Sequence, residues 1–378
     1  MLFKNITGQE EVKKRLIRSV KENRVSHAQL FLGPEGSGKL ALSLAYAQYI
    51  CCENKQEDDS CGVCRSCVKY EKVVHPDLHF LYPFSATKEK PISASYLADW
   101  RSLLIENHCY ISLADWYEAI GMETKQGIIN ANDCNEVIKT LSLKSYESEY
   151  KIMVIWMVEK LFHSAAPKLL KILEEPPDKT LFLLICENHE QVISTIISRT
   201  QIIRVPRIAD KELMHALVNK RGLTPKRANE IIRLAEGNYI EAMQLASDSA
   251  DDSNFTLLQS WMRLCYKDAV FELTKWVEQF SKAGREKQKT FLLNAIRIFR
   301  ESMMVSTGKP ELVRAEGDEL KFATDFSPFI NSHNTVQIIK EFNEAIFHIE
   351  RNANPKILFM DLSFKINKLL RQQAKTAS

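Results

Sequence analysis

Two groups of residues have the types and spacing for chemistry. The first is Gly33-Pro-Glu-Gly-Ser-Gly-Lys39-Leu40, which follows the apolar run Ala28-Gln-Leu-Phe-Leu32 and opens a helical pattern. In G-x-x-x-x-G-K, glycines let backbone N–H groups approach a phosphate, the helix N-terminus favours an anion, and the lysine neutralises the terminal phosphates. Gly33, Gly36, Gly38 and Lys39 are therefore the candidate nucleotide-binding residues. The next position needs a Ser or Thr hydroxyl for magnesium, and here it is Leu40. A glycine turn that only shapes a strand-to-helix corner is the plainer alternative. The flanking strand and helix favour phosphate-loop ancestry and leave present-day nucleotide binding open. The second group, Cys52-x8-Cys61-x2-Cys64-x2-Cys67, offers four thiolates. They are enough to close a tetrahedral zinc shell with no open position for water, which points to structural rather than catalytic zinc. Gly62 supplies the turn, Cys51 competes with Cys52 as first ligand, and free thiols in a polar loop are the bland alternative.

An NTPase of this kind also needs an acidic pair at the tip of an apolar strand, one carboxylate for magnesium and one to orient the attacking water. After Lys151-Ile-Met-Val-Ile155 that tip reads Trp156-Met157. Glu159, two residues on, is expected past the strand end, opening a helix on a different face. Without the magnesium hydroxyl and both acids, little remains to stabilise phosphoryl-transfer charge, and hydrolysis by this chain alone is expected to be negligible.

The elements that must position these residues follow from periodicity. A charged helix over roughly residues 10–23, the strand at 28–32, and a helix from Lys39 open an α/β domain. A second β-α-β pattern runs through 151–155, a helix ending Leu169-Leu-Lys-Ile-Leu173, and Leu181-Phe-Leu-Leu-Ile185, whose near-continuous apolar runs suit buried parallel strands. Residues 210–247 read as a small helical unit, and from Asn254 apolar residues recur at helical spacing with no competing strand signal. Lys13, Lys14, Arg15, Arg18 and Lys21 read as a solvated helix face.

At 378 residues there is room for two or three domains, and 45% apolar with 26% charged residues is a globular composition. Lys plus Arg (51) against Asp plus Glu (48) leaves +3, too little to coat nucleic acid by charge alone, so any DNA contact is local or shared with partners. The apolar runs fall far short of the roughly 20 residues of a spanning helix, and the first ten residues turn polar before a signal-peptide apolar region can form. No membrane is implied, and a cytoplasmic location is expected. Nine cysteines, four of them crowded together, fit metal ligation in a reducing compartment better than disulfides. Cys109, Cys134, Cys186 and Cys265 are expected to be small buried hydrophobes.

Further short motifs accompany these groups: Ile6-Thr-Gly-Gln-Glu10, Ser26-His-Ala28, His75-Pro-Asp77, Leu169-Leu-Lys-Ile-Leu-Glu-Glu-Pro-Pro177, Ser198-Arg-Thr200 and Ala235-Glu-Gly237. In this order, with the phosphate loop and the cysteine module, they resemble the AAA+ clamp-loader subunits of bacterial DNA polymerase III, and the delta-prime type among them. The resemblance spans residues 3 to about 245. It implies an AAA+ P-loop-like domain over 1–206, with a zinc module at about 51–68 and an unassigned insertion at about 85–132. A helical lid over 207–250 and a helical collar for oligomerisation over 254–378 complete the implied architecture. It further implies a hetero-pentamer with gamma/tau and delta subunits that places a sliding clamp on primed DNA, with DNA met through the complex.

Against the motor subunits' pattern this chain departs at Leu40, at Trp156-Met157, at Cys186-Glu187-Asn188 in the first sensor region, and at Ile240, which aligns with the lid arginine. The resemblance therefore implies a silent motor. Arg199 matches the family's Ser-Arg-Cys element, with Thr200 in place of Cys, and is expected to reach the ATP of a neighbouring subunit. Two other readings predict different behaviour. An active gamma/tau-type ATPase using Glu159 predicts magnesium-dependent hydrolysis lost in Lys39→Ala. A free-standing zinc-containing nucleic-acid-binding protein predicts tight DNA binding with a steep salt slope.

Overall fold

Five short strands form one parallel sheet: β1 (Ala28–Leu32), β2 (Leu78–Leu81), β3 (Lys151–Trp156), β4 (Thr180–Cys186) and β5 (Gln201–Arg204). Their order is β2-β3-β4-β1-β5. The computed structural model describes residues 1–122, 125–246, 251–308, 313, 315 and 317–371. β3 and β4 are buried at every position, as their unbroken apolar runs predict for strands covered on both faces. The register sets Leu32 beside both Cys186 and Arg204, so the C-terminal tips of β1, β4 and β5 lie together.

Helices α1 (Glu10–Lys21), α2 (Lys39–Cys51), α3 (Arg65–Glu71), α4 (Leu97–Glu106), α5 (Leu113–Ala119), α6 (Ala131–Ser142), α7 (Ala166–Glu174) and α8 (Ser194–Ile197) belong with the sheet. α2 is buried on every face, so its polar groups bond internally: the Ser43 hydroxyl donates to Leu40 O at 2.8 Å, and the Gln48 amide to Ser60 Oγ at 2.9 Å. α1 carries Glu10 and Glu11 in its first turn, where the helix dipole favours acids. Its basic run is not uniformly solvated. Lys13 is buried and donates to Ile6 O at 2.8 Å and to Glu10 at 2.7 Å.

The expected insertion is folded onto the sheet by aromatic packing. Trp100 of α4 stacks on Tyr82 at 4.4 Å, meets Trp116 of α5 edge-on at 5.1 Å, and lies 5.1 Å from Trp156 at the tip of β3. The Trp116 indole N–H donates to Pro83 O at 2.8 Å, satisfying the polar end of a buried ring.

The chain divides into two units. Met1–Met122, Gln126–Arg221 and Glu236–Ala242 make the first; Gly222–Ala235 and the chain from Met243 make up most of the second. Residues 247–250 of the expected lid and 372–378 of the expected collar lie outside the described residues. Beyond Arg204 the described residues hold no strand. Asp251–Lys267, Val270–Phe280, Arg285–Ser306, Gly317–Phe326, Ser332–Glu350 and Pro355–Leu370 are helices. They enclose an aromatic core in which Trp261 stacks on Trp276 at 5.3 Å and donates its indole N–H to Ser363 Oγ at 2.8 Å. No helix of the described residues is long and apolar enough to cross a membrane.

Candidate functional site

The phosphate-loop sequence forms a tight turn between β1 and α2. Gly36 and Gly38 hold φ of +69° and +83°, a region that a side chain disfavours, so glycine is required for this backbone path. The Gln9 amide fastens the chain entering α1 to this turn, donating to Ser37 O at 3.0 Å and to Pro206 O at 2.6 Å.

Lys39 already has an anion. It is only 5% exposed, and its ammonium forms a 2.8 Å ion pair with Glu187 and donates to Pro34 O at 3.0 Å. Glu187 follows Cys186, which the sheet sets beside Leu32, so the tip of β4 delivers a carboxylate where a terminal phosphate would meet the lysine. Leu40 is 3% exposed and packs in the core, an apolar side chain with no hydroxyl to offer a metal.

The loop is also covered. The Tyr239 N–H donates to Gly36 O at 3.1 Å, and a β-carbon placed on Gly36 would lie 1.7 Å from Asn238 Oδ1. The Asn238 amide donates to Glu35 at 3.4 Å. Ile240, in the position aligned with the lid arginine, is 9% exposed and has no charge to offer a phosphate.

The two positions of the expected acidic pair are built into the core. Trp156 is 2% exposed among Trp100 and its neighbours, and Met157 is 3% exposed with a left-handed φ of +56°. Glu159 does enter a short helical turn, Val158–Lys160, but it does not lie on a remote face. The left-handed Met157 turns the chain back, and the Glu159 carboxylate accepts the N–H groups of Glu187 at 2.8 Å and Asn188 at 3.3 Å. One carboxylate oxygen of Glu159, Oε1, is thus committed to two backbone donors beside the Lys39 partner and braces the β4 tip, while Oε2 is buried without a hydrogen-bond partner. Placing an acid at the strand tip should therefore cost stability. Trp156→Asp is expected to lose about 4 kcal/mol or more, from a deleted buried aromatic and a carboxyl left among rings. Urea unfolding monitored by circular dichroism measures the loss, and an unchanged midpoint contradicts this account.

Arg199 lies just after α8, with its side chain 35% exposed. Its Nε donates to Glu174 Oε1 at 2.6 Å, and Nη1 donates to Thr195 O at 2.9 Å and Ser198 Oγ at 3.3 Å. Glu174 is the last residue of α7. Arg199 precedes β5, whose first residue pairs with Gln29 near the start of β1, whereas the phosphate loop leaves the end of β1. The two sites therefore lie at opposite ends of neighbouring parallel strands, about 16 Å apart along five residues of strand.

The cysteine cluster resolves the choice that the sequence left open. The Sγ atoms of Cys52, Cys61, Cys64 and Cys67 all lie within 4.8 Å of one another. Cys51 stands apart, buried, accepting the Tyr70 hydroxyl at 3.3 Å. Backbone N–H groups point at the sulfurs: Cys61 N to Cys52 Sγ and Cys64 N to Cys61 Sγ, both at 3.3 Å. The Val63 N–H, followed by that of Cys64, holds the Cys61 thiol down at about 6. Four convergent soft donors at this spacing fit one tetrahedral metal ion, in which sulfurs stand about 3.8 Å apart around a ~2.3 Å bond.

The sheet thus brings Gly33, Gly36, Gly38 and Lys39 together and gathers the four cysteines at a separate place. Sequence reasoning missed Glu187 as the Lys39 partner, Glu174 as the Arg199 partner, Asn238 and Tyr239 as the cover of the loop, and Tyr110 as the partner of Thr7. An acid one residue past an apolar strand was a usable signal for Glu187. Tyr110 had none, because its contact with Thr7 spans 103 residues of chain.

A parallel α/β sheet whose first strand turns through G-x-x-x-x-G-K into a buried helix defines a protein of the P-loop class. Within that class, the family model described as "DNA polymerase III, delta subunit" matches residues 8–209, just over half of the chain, and the chain belongs to this family. It is 25% identical over 308 residues to DNA polymerase III subunit delta' of Bacillus subtilis, covering 80% of this chain and 79% of that protein. It is also 25% identical over 299 residues to subunit tau of the same organism, covering 78% of this chain but only 45% of tau. Among solved structures, a DNA polymerase III gamma subunit-related protein of Thermotoga maritima aligns over 95% of this chain and 99% of its own, with 15% identity and a TM-score of 0.41.

Proposed function

We propose that the chain is a non-hydrolysing, delta-prime-type subunit of a DNA polymerase III clamp loader, one that helps place the sliding clamp on primed DNA in a hetero-pentamer with gamma/tau and delta subunits. The observation that carries this reading is the Lys39–Glu187 ion pair at 2.8 Å, in which a half-buried internal carboxylate holds the buried lysine that a motor would present to ATP. Leu40 and Trp156 in the core support it, since neither can hold magnesium. On this reading residues 1–206 are the AAA+ domain, 207–250 the lid and 254–378 the collar.

Two further roles belong to this reading. Arg199, at the end of the sheet opposite its own loop, acts on the ATP of a neighbouring subunit as an arginine finger. Cys52, Cys61, Cys64 and Cys67 hold a structural zinc ion, which supplies a four-thiolate crosslink and leaves no position for catalysis.

The purified chain is expected to hydrolyse ATP no faster than background, with or without magnesium, and to enter a five-subunit complex when mixed with its loader partners. A phosphate-release assay and native mass spectrometry read the two results. Magnesium-dependent hydrolysis by the lone chain that disappears in Lys39→Ala would establish the motor reading instead, and failure to co-assemble would remove the loader reading.

A further inference from the structure

The insertion between β2 and α6 reaches the phosphate loop with one side chain. His108 and Cys109 are consecutive non-glycine residues in the left-handed region, at φ +49° and +63°. That pair of strained residues ends α4 abruptly and aims Tyr110 inward. The Tyr110 ring packs on Tyr239 with centroids 4.2 Å apart, and its hydroxyl accepts the Thr7 N–H at 3.1 Å. The same hydroxyl stands 3.1 Å from where a β-carbon on Gly38 would be, with ring carbon Cε1 at 3.2 Å. Phosphates cradled by such a loop lie against the backbone of residues 36–39. Asn238 and Tyr239 stand against that backbone at Gly36, and Tyr110 stands against it at Gly38.

The insertion has anchors besides Tyr110. Trp100 and Trp116 pack together on Tyr82, and the Ser112–Asp115 capping box fixes the start of α5. The ring is thus a fingertip on a segment anchored elsewhere.

We infer that Tyr110 is a built-in stopper for the phosphate loop, and that the insertion excludes a nucleoside triphosphate by seating this ring, backed by Tyr239, against Gly38. The inference rests on the reading of the loop as an inherited phosphate site. It assigns the insertion a task, and it makes the loss of nucleotide binding a property of particular side chains.

The test is a fluorescence titration with ATP carrying an N-methylanthraniloyl group, in magnesium buffer, on the full chain. The wild-type chain is expected to show no saturation below about 1 mM, and Tyr110→Ala to bind at least about tenfold more tightly. Tyr110→Ala/Asn238→Ala is expected to bind more tightly still, and adding Lys39→Ala to return binding to the wild-type level. Tyr110→Phe keeps the ring and is expected to stay closed. Tyr110→Leu, which preserves apolar volume, serves if the alanine variant does not fold. Titrations of folded Tyr110→Ala or Tyr110→Leu and of the double variant that superimpose on wild type would overturn the inference. So would tight binding by the wild-type chain. Because the readout is binding by the lone chain without turnover, unchanged binding in these variants refutes the stopper alone, whereas ATP hydrolysis by the wild-type chain refutes the silent-motor reading.

Discussion

In the reconstituted loader, Arg199→Ala should slow ATP hydrolysis at the facing site by about a thousandfold, or about 4 kcal/mol of transition-state stabilisation. The expectation follows from topology before chemistry. Arg199 precedes β5 and the phosphate loop follows β1, so the strands that carry them hold the two groups at opposite ends of the sheet. An arginine so placed cannot serve its own loop, and a guanidinium fork matches the equatorial oxygens of a transferring phosphoryl group. Arg199→Lys keeps the charge but loses the fork and should recover little of the rate. Glu174, whose carboxylate receives Nε at 2.6 Å, holds the arginine ready in the free subunit. Glu174→Gln should weaken that hold and change the rate only a few-fold. The ion pair is exposed, so the isolated Arg199→Ala chain should unfold within about 1 kcal/mol of wild type, which separates a lost finger from a lost fold. Single-turnover hydrolysis with the clamp and primed DNA present is the measurement, and a normal rate in the mutant loader removes the trans role.

How much of this was legible without coordinates depended on whether the deciding contacts were local. β1, β3 and β4 announce themselves as apolar runs because both their faces are buried, and the glycine loop and cysteine knuckles are local patterns fixed by backbone geometry. β2 and β5 escaped for the converse reason. Each is four residues long, β5 exposes Gln201 and Arg204, and an edge strand of that kind has no unbroken apolar signature. Glu159 was misplaced because its direction depends on a left-handed methionine, a conformation no sequence rule assigns to Met157. Glu187 and Tyr110 come near the loop only through tertiary placement, one by the β1–β4 register and the other by an aromatic insertion packed on Trp156. The tryptophan at the strand tip is part of the surface on which Trp100 anchors the insertion.

On the proposed reading, loss of a zinc ion from the four cysteines should cost the chain substantial stability. Cys64→Ala/Cys67→Ala is expected to carry no zinc where the wild-type chain carries about one equivalent, and to lose about 3–5 kcal/mol. The figure is below the 10–16 kcal/mol of peptides that fold only with zinc, because this module sits on a preformed domain. The module nonetheless ties distant chain together. The Asp59 carboxylate accepts the N–H groups of Phe3 and Lys4, both at 3.0 Å, and Ser60 receives the Gln48 amide from the buried helix α2. Releasing the four thiolates would free the loop that holds these groups and loosen the N-terminal segment that packs Phe3 against Tyr49 at 6.0 Å. For a domain of this size the loss corresponds to a fall of about 10 °C in melting temperature. The geometry also sets a sharper condition on neighbouring residues. Cys52→Ser should lose the metal and Cys51→Ser should keep it, since only Cys52 lies with the other three sulfurs while Cys51 faces the Tyr70 hydroxyl. Metal content by mass spectrometry of the acid-digested protein, read beside the melting curve, decides the matter. A Cys52→Ser chain that retains a full equivalent of zinc shows that the ion is held elsewhere.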